Sequence, residues 1–404
     1  TEDTGDPTRD KAYFKSEFSS VSELEAAKHE LASSIGAEGS VLLKNMCGAL
    51  PIHVESEKVT VWGLNSLFPT LGGLMGSSVA TAAGTEQQAV GILDALGMKG
   101  VQLNGEMSGF YGQFFDNVRK SSLFGAQIPG HSLNASFSNM YEPDDTYQIG
   151  ELPESTYTAD ILSTADDTTA IVFLTRDSSE AADYSDAMTD PSGNTYTSPL
   201  AISEYERQMI ALAKAHSNGK VIVLLNTDTP MEVEELKKDP EIQAILWTGL
   251  PGMYGFEGVA DVLAGNTAPS GRMVDTYAVS TKSAPAMVNF DLHTYENNSS
   301  APGSPLIPDD LADYYYVESQ GIYIGYKYYE TRYEDQILGQ GNATDGAGSI
   351  NGAAWNYADE VSYPFGYGQS YTTFTQELQS VDVQVGGTST AVVKVTNTGD
   401  VAGK

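Results

Sequence analysis

Short apolar runs bounded by turn residues recur along the chain. Each has the length and composition of a strand buried on both faces. The clearest are Val59–Gly63 (VTVWG), Ala170–Leu174 (AIVFL), Val221–Leu225 (VIVLL) and Ile242–Trp247, with Val101-Gln-Leu a shorter one. Between them the spacing turns helical. Val21–Ile35 sets Leu24, Ala27, Leu31 and Ile35 on one face, and helices are predicted over Ala89–Leu96, Gly105–Lys120, Glu232–Lys238 and Phe256–Leu263. A further helix opens at Ser203, where Ser203 and Glu206 have capping-box spacing ahead of the apolar positions Tyr205, Met209, Ile210 and Leu212. Strand and helix alternating at intervals of roughly 20 to 30 residues predict a parallel sheet covered by helices.

Other stretches break this rhythm. Ser121–Ser155 is long, polar and weakly patterned, as functional loops often are. Ser280–Leu311 is rich in Pro, Asn, Ser and Ala. A tyrosine-dense stretch follows, Tyr314-Tyr-Tyr and then GIYIGYKYYETRY over Gly321–Tyr333. Such rings can stack on sugar faces or fill half-buried positions, and density alone favours packing. The period then changes to two. Val381, Val383 and Val385, then Val392–Val395, alternate as antiparallel strands around a Gly386-Gly387 turn.

Composition narrows the classes. A chain of 404 residues, 41% hydrophobic, is large enough for two or three units with sizeable cores. No window approaches the roughly 18 consecutive apolar residues of a membrane span. The net charge of −33 argues against nucleic acid or an anionic membrane as partner and says nothing against a neutral substrate. With Cys47 the one cysteine, neither an internal disulfide nor a thiolate cluster is expected. The five histidines show no metal-ligand spacing, so no metal is expected. Asn134-Ala-Ser, Asn298-Ser-Ser and Asn342-Ala-Thr match the glycosylation pattern. The compartment is left open, with the cytoplasm slightly favoured, and so is a homo-oligomer.

The candidate chemistry lies just past the Ala170–Leu174 strand, in a polar loop holding Arg176, Asp177, Ser178, Ser179, Glu180, Asp183 and Asp186. Ligands of open α/β sheets sit beyond the carboxyl ends of the strands. Glu180 is therefore read either as a solvated loop acid or as a general acid/base at a cleft. Gly72, Gly73 and Gly76, after Val59–Gly63, do not form a dinucleotide fingerprint. They suit a loop whose backbone approaches a ligand closely.

Taken in order, these segments resemble glycoside hydrolase family 3. The resemblance rests on Glu38–Asn45 (EGSVLLKN) with Ala49-Leu-Pro-Ile, Val221-Ile-Val-Leu-Leu-Asn, Ile245-Leu-Trp-Thr-Gly-Leu-Pro-Gly, Ala260-Asp-Val-Leu-Ala-Gly-Asn and Pro269-Ser-Gly-Arg. It continues through Gly321-Ile-Tyr-Ile-Gly-Tyr and Tyr363-Pro-Phe-Gly-Tyr-Gly to Val395-Thr-Asn-Thr-Gly-Asp.

The resemblance implies an α/β fold. A mostly parallel six-stranded α/β sandwich over residues 38–376 would follow an N-terminal arm and helix over 1–37. The first strands of a fibronectin type III-like β-sandwich would occupy 377–404. It implies the acid/base half of a retaining exo-β-glycosidase, β-glucosidase above all, acting on a carbohydrate or glycoside without a cofactor. Ser179-Glu180-Ala181-Ala182-Asp183-Tyr184 stands where the family has a Ser-Gly-Glu-Gly-x-Asp-Arg-like loop, which makes Glu180 the acid/base. Ala181 and Tyr184 depart from that pattern. Gly76 or Ser77 would lend the sugar subsite a contact from the glycine loop, with Arg176 a further substrate-binding candidate. The family's nucleophile sits on a (β/α)8 barrel, and no stretch here resembles its Ser-Asp-Trp or Lys-His-Phe segments. The barrel is thus expected as a further domain or a second chain, in a member with permuted domain order. A non-catalytic carbohydrate-binding or scaffolding protein on the same fold is the alternative, and phosphorolysis in place of hydrolysis is left open.

Overall fold

The computed structural model describes residues 16–67, 69–72, 89–114, 122–123, 126–127, 151–176, 188–189, 195–196, 198, 200–289, 293–294 and 314–404. Its centre is a six-stranded sheet. The strands are β1 (Val41–Asn45), β2 (Lys58–Trp62), β3 (Gln102–Leu103), β4 (Thr169–Thr175), β5 (Val221–Asn226) and β6 (Ala244–Trp247). Their order across the sheet is β1-β6-β5-β4-β2-β3. All neighbours are parallel except β1, which lies antiparallel along β6 with a bulge between Leu42 and Lys44. The mostly parallel α/β sandwich read from the sequence is the fold.

Why these strands are unbroken apolar runs follows from what covers them. Alternate residues enter opposite cores. Ala170, Val172 and Leu174 of β4 and Val221, Val223 and Leu225 of β5 pack with Met107, Phe110 and Tyr111 of α3 (Gly105–Gly112). Met209, Ile210 and Leu212 of α4 (Glu204–Ala215) and Leu236 of α5 (Glu234–Lys238) complete that side. Ile171, Phe173, Ile222 and Leu224 face the other way. They meet Ile92, Ala95 and Leu96 of α2 (Ile92–Met98) and Phe256, Val259 and Leu263 of α6 (Gly255–Leu263).

The first helix departs from expectation. α1 (Val21–Gly39) forms as predicted, capped by Ser20, but Leu31 and Ile35 are 61% and 63% exposed. The buried face is the small-residue one, Gly36 and Ala37, lying against α6. The two helices approach so closely that a Cβ on Gly258 would stand 1.9 Å from the Ser33 carbonyl oxygen. Backbone proximity, not apolar periodicity, selects the face.

The end of the tyrosine-dense stretch becomes α7 (Tyr326–Leu338), ended by Gly339 in the left-handed conformation, while Tyr314–Tyr315 pairs antiparallel with His293–Thr294. The helix covers a short antiparallel pair, β7 (Tyr277–Ala278) with β8 (Val361–Tyr363). Tyr329 is buried there with Ala278, Trp355 and Val361, and its hydroxyl lies 2.7 Å from that of Ser283.

The last strands are β9 (Phe374–Asp382) and β10 (Thr390–Asn397), antiparallel from Phe374↔Asn397 to Asp382↔Thr390. The first begins earlier than predicted and stops before Val383, because the turn is closed by Gln384 N–H on Ser389 Oγ and Gly387 N–H on the Gln384 carbonyl. Among the described residues no helix is long and apolar enough to cross a membrane.

Candidate active site

Strands β2, β4, β5 and β6 are mutually parallel, so their carboxyl ends share one edge of the sheet. Three loops leave that edge, and each is anchored by buried polar groups.

The first leaves β4 at Arg176, whose side chain is fully buried. Its guanidinium donates to both carboxylate oxygens of Glu206 at 2.7 and 2.9 Å, to the Ala201 carbonyl at 2.5 Å and to that of Thr175 at 2.7 Å. Glu206 lies in the first turn of α4, where the capping box predicted from spacing is formed. Ser203 N–H donates to Glu206 Oε2 at 2.8 Å, and Glu206 N–H to Ser203 Oγ at 3.2 Å. Arg176 therefore ties the chain leaving β4 to its return at Ala201. Glu180, Asp183, Tyr184 and Asp186 fall between these points and lie outside the described residues.

The second leaves β5 at Asn226, also fully buried. Its side-chain oxygen accepts from Thr70 N–H at 2.8 Å, while its amide donates to the Thr70 carbonyl at 2.9 Å and to that of Gly249 at 2.7 Å. Gly252 N–H donates to Leu71 O at 2.7 Å, and Val90 N–H to Met253 O at 2.8 Å. Both ends of the glycine loop are thus held by the turn after β6. Gly76 and Ser77, between those ends, lie outside the described residues.

The third is the exit of β2. Gly63 has φ 112°, and a Cβ there would meet the Phe173 carbonyl oxygen at 2.6 Å, so glycine is required. Its N–H donates to Tyr111 Oη at 2.9 Å, and Leu64 N–H donates to Glu151 Oε2 at 3.1 Å. Tyr111 and Tyr157 hydroxyls are 2.9 Å apart. Burial pushes the Glu151 carboxyl up to about 8, against the bonds from Leu152 and Leu64 N–H, with the Glu206 charge adding to the rise. Burial likewise raises both phenols well above their usual range.

Sequence reasoning missed Glu151, Asn226 and the pairing of Arg176 with Glu206. Glu151 sits in a weakly patterned segment, and Asn226 is marked only as the last residue of the run Val221-Ile-Val-Leu-Leu-Asn, with no role attached to it. Among the described residues, no group of three or more His, Cys, Asp or Glu is placed to hold a metal ion.

Comparison with known proteins supplies the family. Residues 40–371 match the Glycosyl hydrolase family 3 C-terminal domain. "Beta-glucosidase A" of Butyrivibrio fibrisolvens is 26% identical over 411 residues, which cover 93% of this chain and 41% of that protein. The "Periplasmic beta-glucosidase" of Salmonella typhimurium is 26% identical over 371 residues, covering 91% and 38%. Among solved structures, a beta-glucosidase from Paenibacillus barengoltzii superposes with a TM-score of 0.63 at 27% identity, over 92% of this chain and 33% of that one. Beta-glucosidase 3B from Thermotoga neapolitana, solved with alpha-D-glucose, gives 0.62 at 25% identity, over 96% and 44%. The chain spans less than half the length of these relatives. A match running from just before β1 to just before β9 covers the whole sandwich, and on it the chain belongs to glycosyl hydrolase family 3.

Proposed function

We propose that this chain is the acid/base-bearing part of a retaining exo-β-glucosidase that hydrolyses terminal non-reducing β-D-glucosyl residues. The nucleophile comes from a (β/α)8 barrel outside residues 1–404. The observation that carries the reading is the clamp of Arg176 on Glu206 and Ala201. It holds both ends of the Glu180 loop at the carboxyl edge of the sheet, where open α/β folds place their ligands. The beta-glucosidases among the relatives support this substrate class.

Glu180 begins protonated and donates to the glycosidic oxygen while the barrel carboxylate attacks the anomeric carbon. The departing alcohol takes the proton, and the C–O bond breaks as the glycosyl-enzyme bond forms. Glu180, now ionised, takes a proton from water as that water displaces the enzyme carboxylate. Gly76 or Ser77 contributes to the sugar subsite from the glycine loop. Arg176, expected as a substrate ligand, is better assigned as a positioning residue, since its guanidinium is buried on Glu206.

In the enzyme that carries the barrel, Glu180→Gln slows hydrolysis of alkyl and sugar β-glucosides by about 10² to 10⁴. Dinitrophenyl β-glucoside needs no proton for its leaving group, so its glycosylation step is nearly spared. Azide restores turnover, because it attacks without losing a proton. Asp183→Asn and Asp186→Asn slow both substrate classes alike and show no azide rescue. If leaving-group dependence instead follows Asp183 or Asp186, the assignment of Glu180 is wrong. Saturable sugar binding with no hydrolysis of any of these glucosides by the wild type would favour a non-catalytic carbohydrate-binding role.

A further inference from the structure

Away from the strand ends, a cavity of about 320 Å³ lies between α7 and the 341–347 turn. Pockets for small molecules begin at about 300 Å³, so it suits a single small ring. Tyr323, Tyr328, Thr331, Asp335, Asn342 and Asp345 line it. Helical spacing puts Tyr328, Thr331 and Asp335 on one face of α7, three and four residues apart.

Arg332, also on α7, holds the facing turn in place. Its guanidinium donates to the carbonyls of Ala343 at 2.9 Å, Asp345 at 2.7 Å and Ala347 at 2.9 Å, and to Tyr328 Oη at 2.6 Å. It also lies over the Trp355 ring, 4.7 Å from the centroid. The turn is thereby drawn onto the helix and the cavity is formed in advance of any ligand. The same bonds commit the positive charge of Arg332 to the protein's own oxygens, so it is poorly placed to receive a phosphate or carboxylate.

What faces the cavity is a half-exposed aromatic ring, Tyr323 at 47%, with acceptors and donors in mixture. Asp335 and Asp345 offer carboxylate oxygens, although Asp345 Oδ1 already accepts from Ala347 N–H at 2.9 Å. Asn342 and Thr331 offer an amide and a hydroxyl. Two carboxylates fall short of a metal cage, and no group of three or more metal-binding side chains is placed together among the described residues. A flat apolar ring beside acceptors suits a neutral ligand that is apolar on its faces and carries hydroxyls at its edge. We infer that this pocket binds a neutral pyranose unit, with Tyr323 against the sugar face and Asp335 accepting from its hydroxyls. The inference goes beyond the acid/base reading and does not require it.

Isothermal titration and saturation-transfer NMR with methyl β-D-glucoside and cellobiose, up to about 50 mM, test it in the millimolar range where one such contact set operates. The protein is made in a host that does not glycosylate, because Asn342 heads a sequon. The expected result is saturable binding that weakens at least tenfold in Tyr323→Ala and in Asp335→Asn. Both variants keep the wild-type unfolding midpoint, and Glu180→Gln binds as the wild type does. Three outcomes overturn the inference: no saturable binding, binding unchanged in both pocket variants, or binding lost only in Glu180→Gln. The last places the sugar at the acid/base loop. A response to Ca²⁺ with none to sugar also overturns it, in favour of a cation site.

Discussion

Arg176 and Glu206 meet through two hydrogen bonds, 2.7 and 2.9 Å long, with both side chains buried. The same carboxylate completes the N-terminal capping box of α4 by accepting from Ser203 N–H. One acid thus fixes a strand exit, a helix start and both ends of the loop between them. Glu206→Gln takes the carboxylate away from a buried guanidinium, at a cost of about 3–5 kcal/mol. The pair Arg176→Met with Glu206→Gln should lose less than the sum of the singles, because each single already breaks the two hydrogen bonds that they share. Urea unfolding of the three variants checks both statements. Additive losses would show that the two side chains act independently.

Much of this arrangement was legible in the sequence, and the rest was not for identifiable reasons. Apolar runs such as Ala170–Leu174 revealed two-sided burial, hence a parallel sheet, because both faces of that strand enter a core. The Ser203–Glu206 spacing revealed a helix start, since capping is local. Local patterns do not specify distant partners. That Glu206 also receives Arg176, thirty residues away, or that Asn226 reaches Thr70, is set by which strands lie side by side. α1 misled for the same reason. Its apolar residues are periodic, but contact with α6 is decided by where backbones can approach, and there Gly36 and Gly258 prevail.

That close approach gives a paired prediction. A Cβ on Gly258 would overlap the Ser33 carbonyl and lie 2.5 Å from Ala37 N. Gly258→Ala must push α1 off α6 and should destabilise by about 1–3 kcal/mol, the usual range for overpacking. Gly97 is helical and exposed, and a Cβ there meets nothing within 4 Å. Gly97→Ala should stabilise by about 0.5–1 kcal/mol through reduced freedom of the unfolded chain. Thermal unfolding midpoints should move in opposite directions. A Gly258→Ala midpoint at or above wild type would mean that the helices have room to separate.

Glu151 gives a pH dependence. Its folded-state pKa is raised from 4.5 to about 8, chiefly by burial, so the folded chain holds this proton where the unfolded chain has released it. The resulting stability is fully present below pH 4.5 and is lost as pH rises through about 8. Across that window Glu151 should contribute a downward slope of at most about 1.4 kcal/mol per pH unit. Glu151→Gln removes the titration. It also forfeits an acceptor for one of the two N–H groups on the carboxylate, so the slope is the diagnostic and the absolute stability is not. Unfolding free energies at several pH values should show the variant's curve flatter than wild type between those limits. Parallel curves would place the titration of Glu151 outside this range.

Asn226 offers the sharpest test of how the glycine loop is held. Its amide group donates to two carbonyl oxygens while its oxygen accepts from one N–H, so both halves of the side chain are used. Asn226→Ala removes these three buried hydrogen bonds and should cost about 1.5–4.5 kcal/mol, at about 0.5–1.5 kcal/mol net for each. Asn226→Asp is closer in shape and should nevertheless be worse at neutral pH. It keeps the acceptor for Thr70 N–H but sets a buried carboxylate against the Thr70 and Gly249 carbonyls, adding repulsion and desolvation to the lost donors. Acid should partly rescue it. Once protonated, the side chain loses its charge and regains one donor, so its stability relative to Asn226→Ala improves as pH falls. In both variants the Thr70 amide should exchange with solvent faster than in wild type, as the start of the loop is released from β5. Urea unfolding at neutral and acid pH, with exchange read at Thr70, separates the possibilities. If Asn226→Asp is as stable as Asn226→Ala at neutral pH, the two carbonyls do not face this side chain, and Asn226 does not hold the loop.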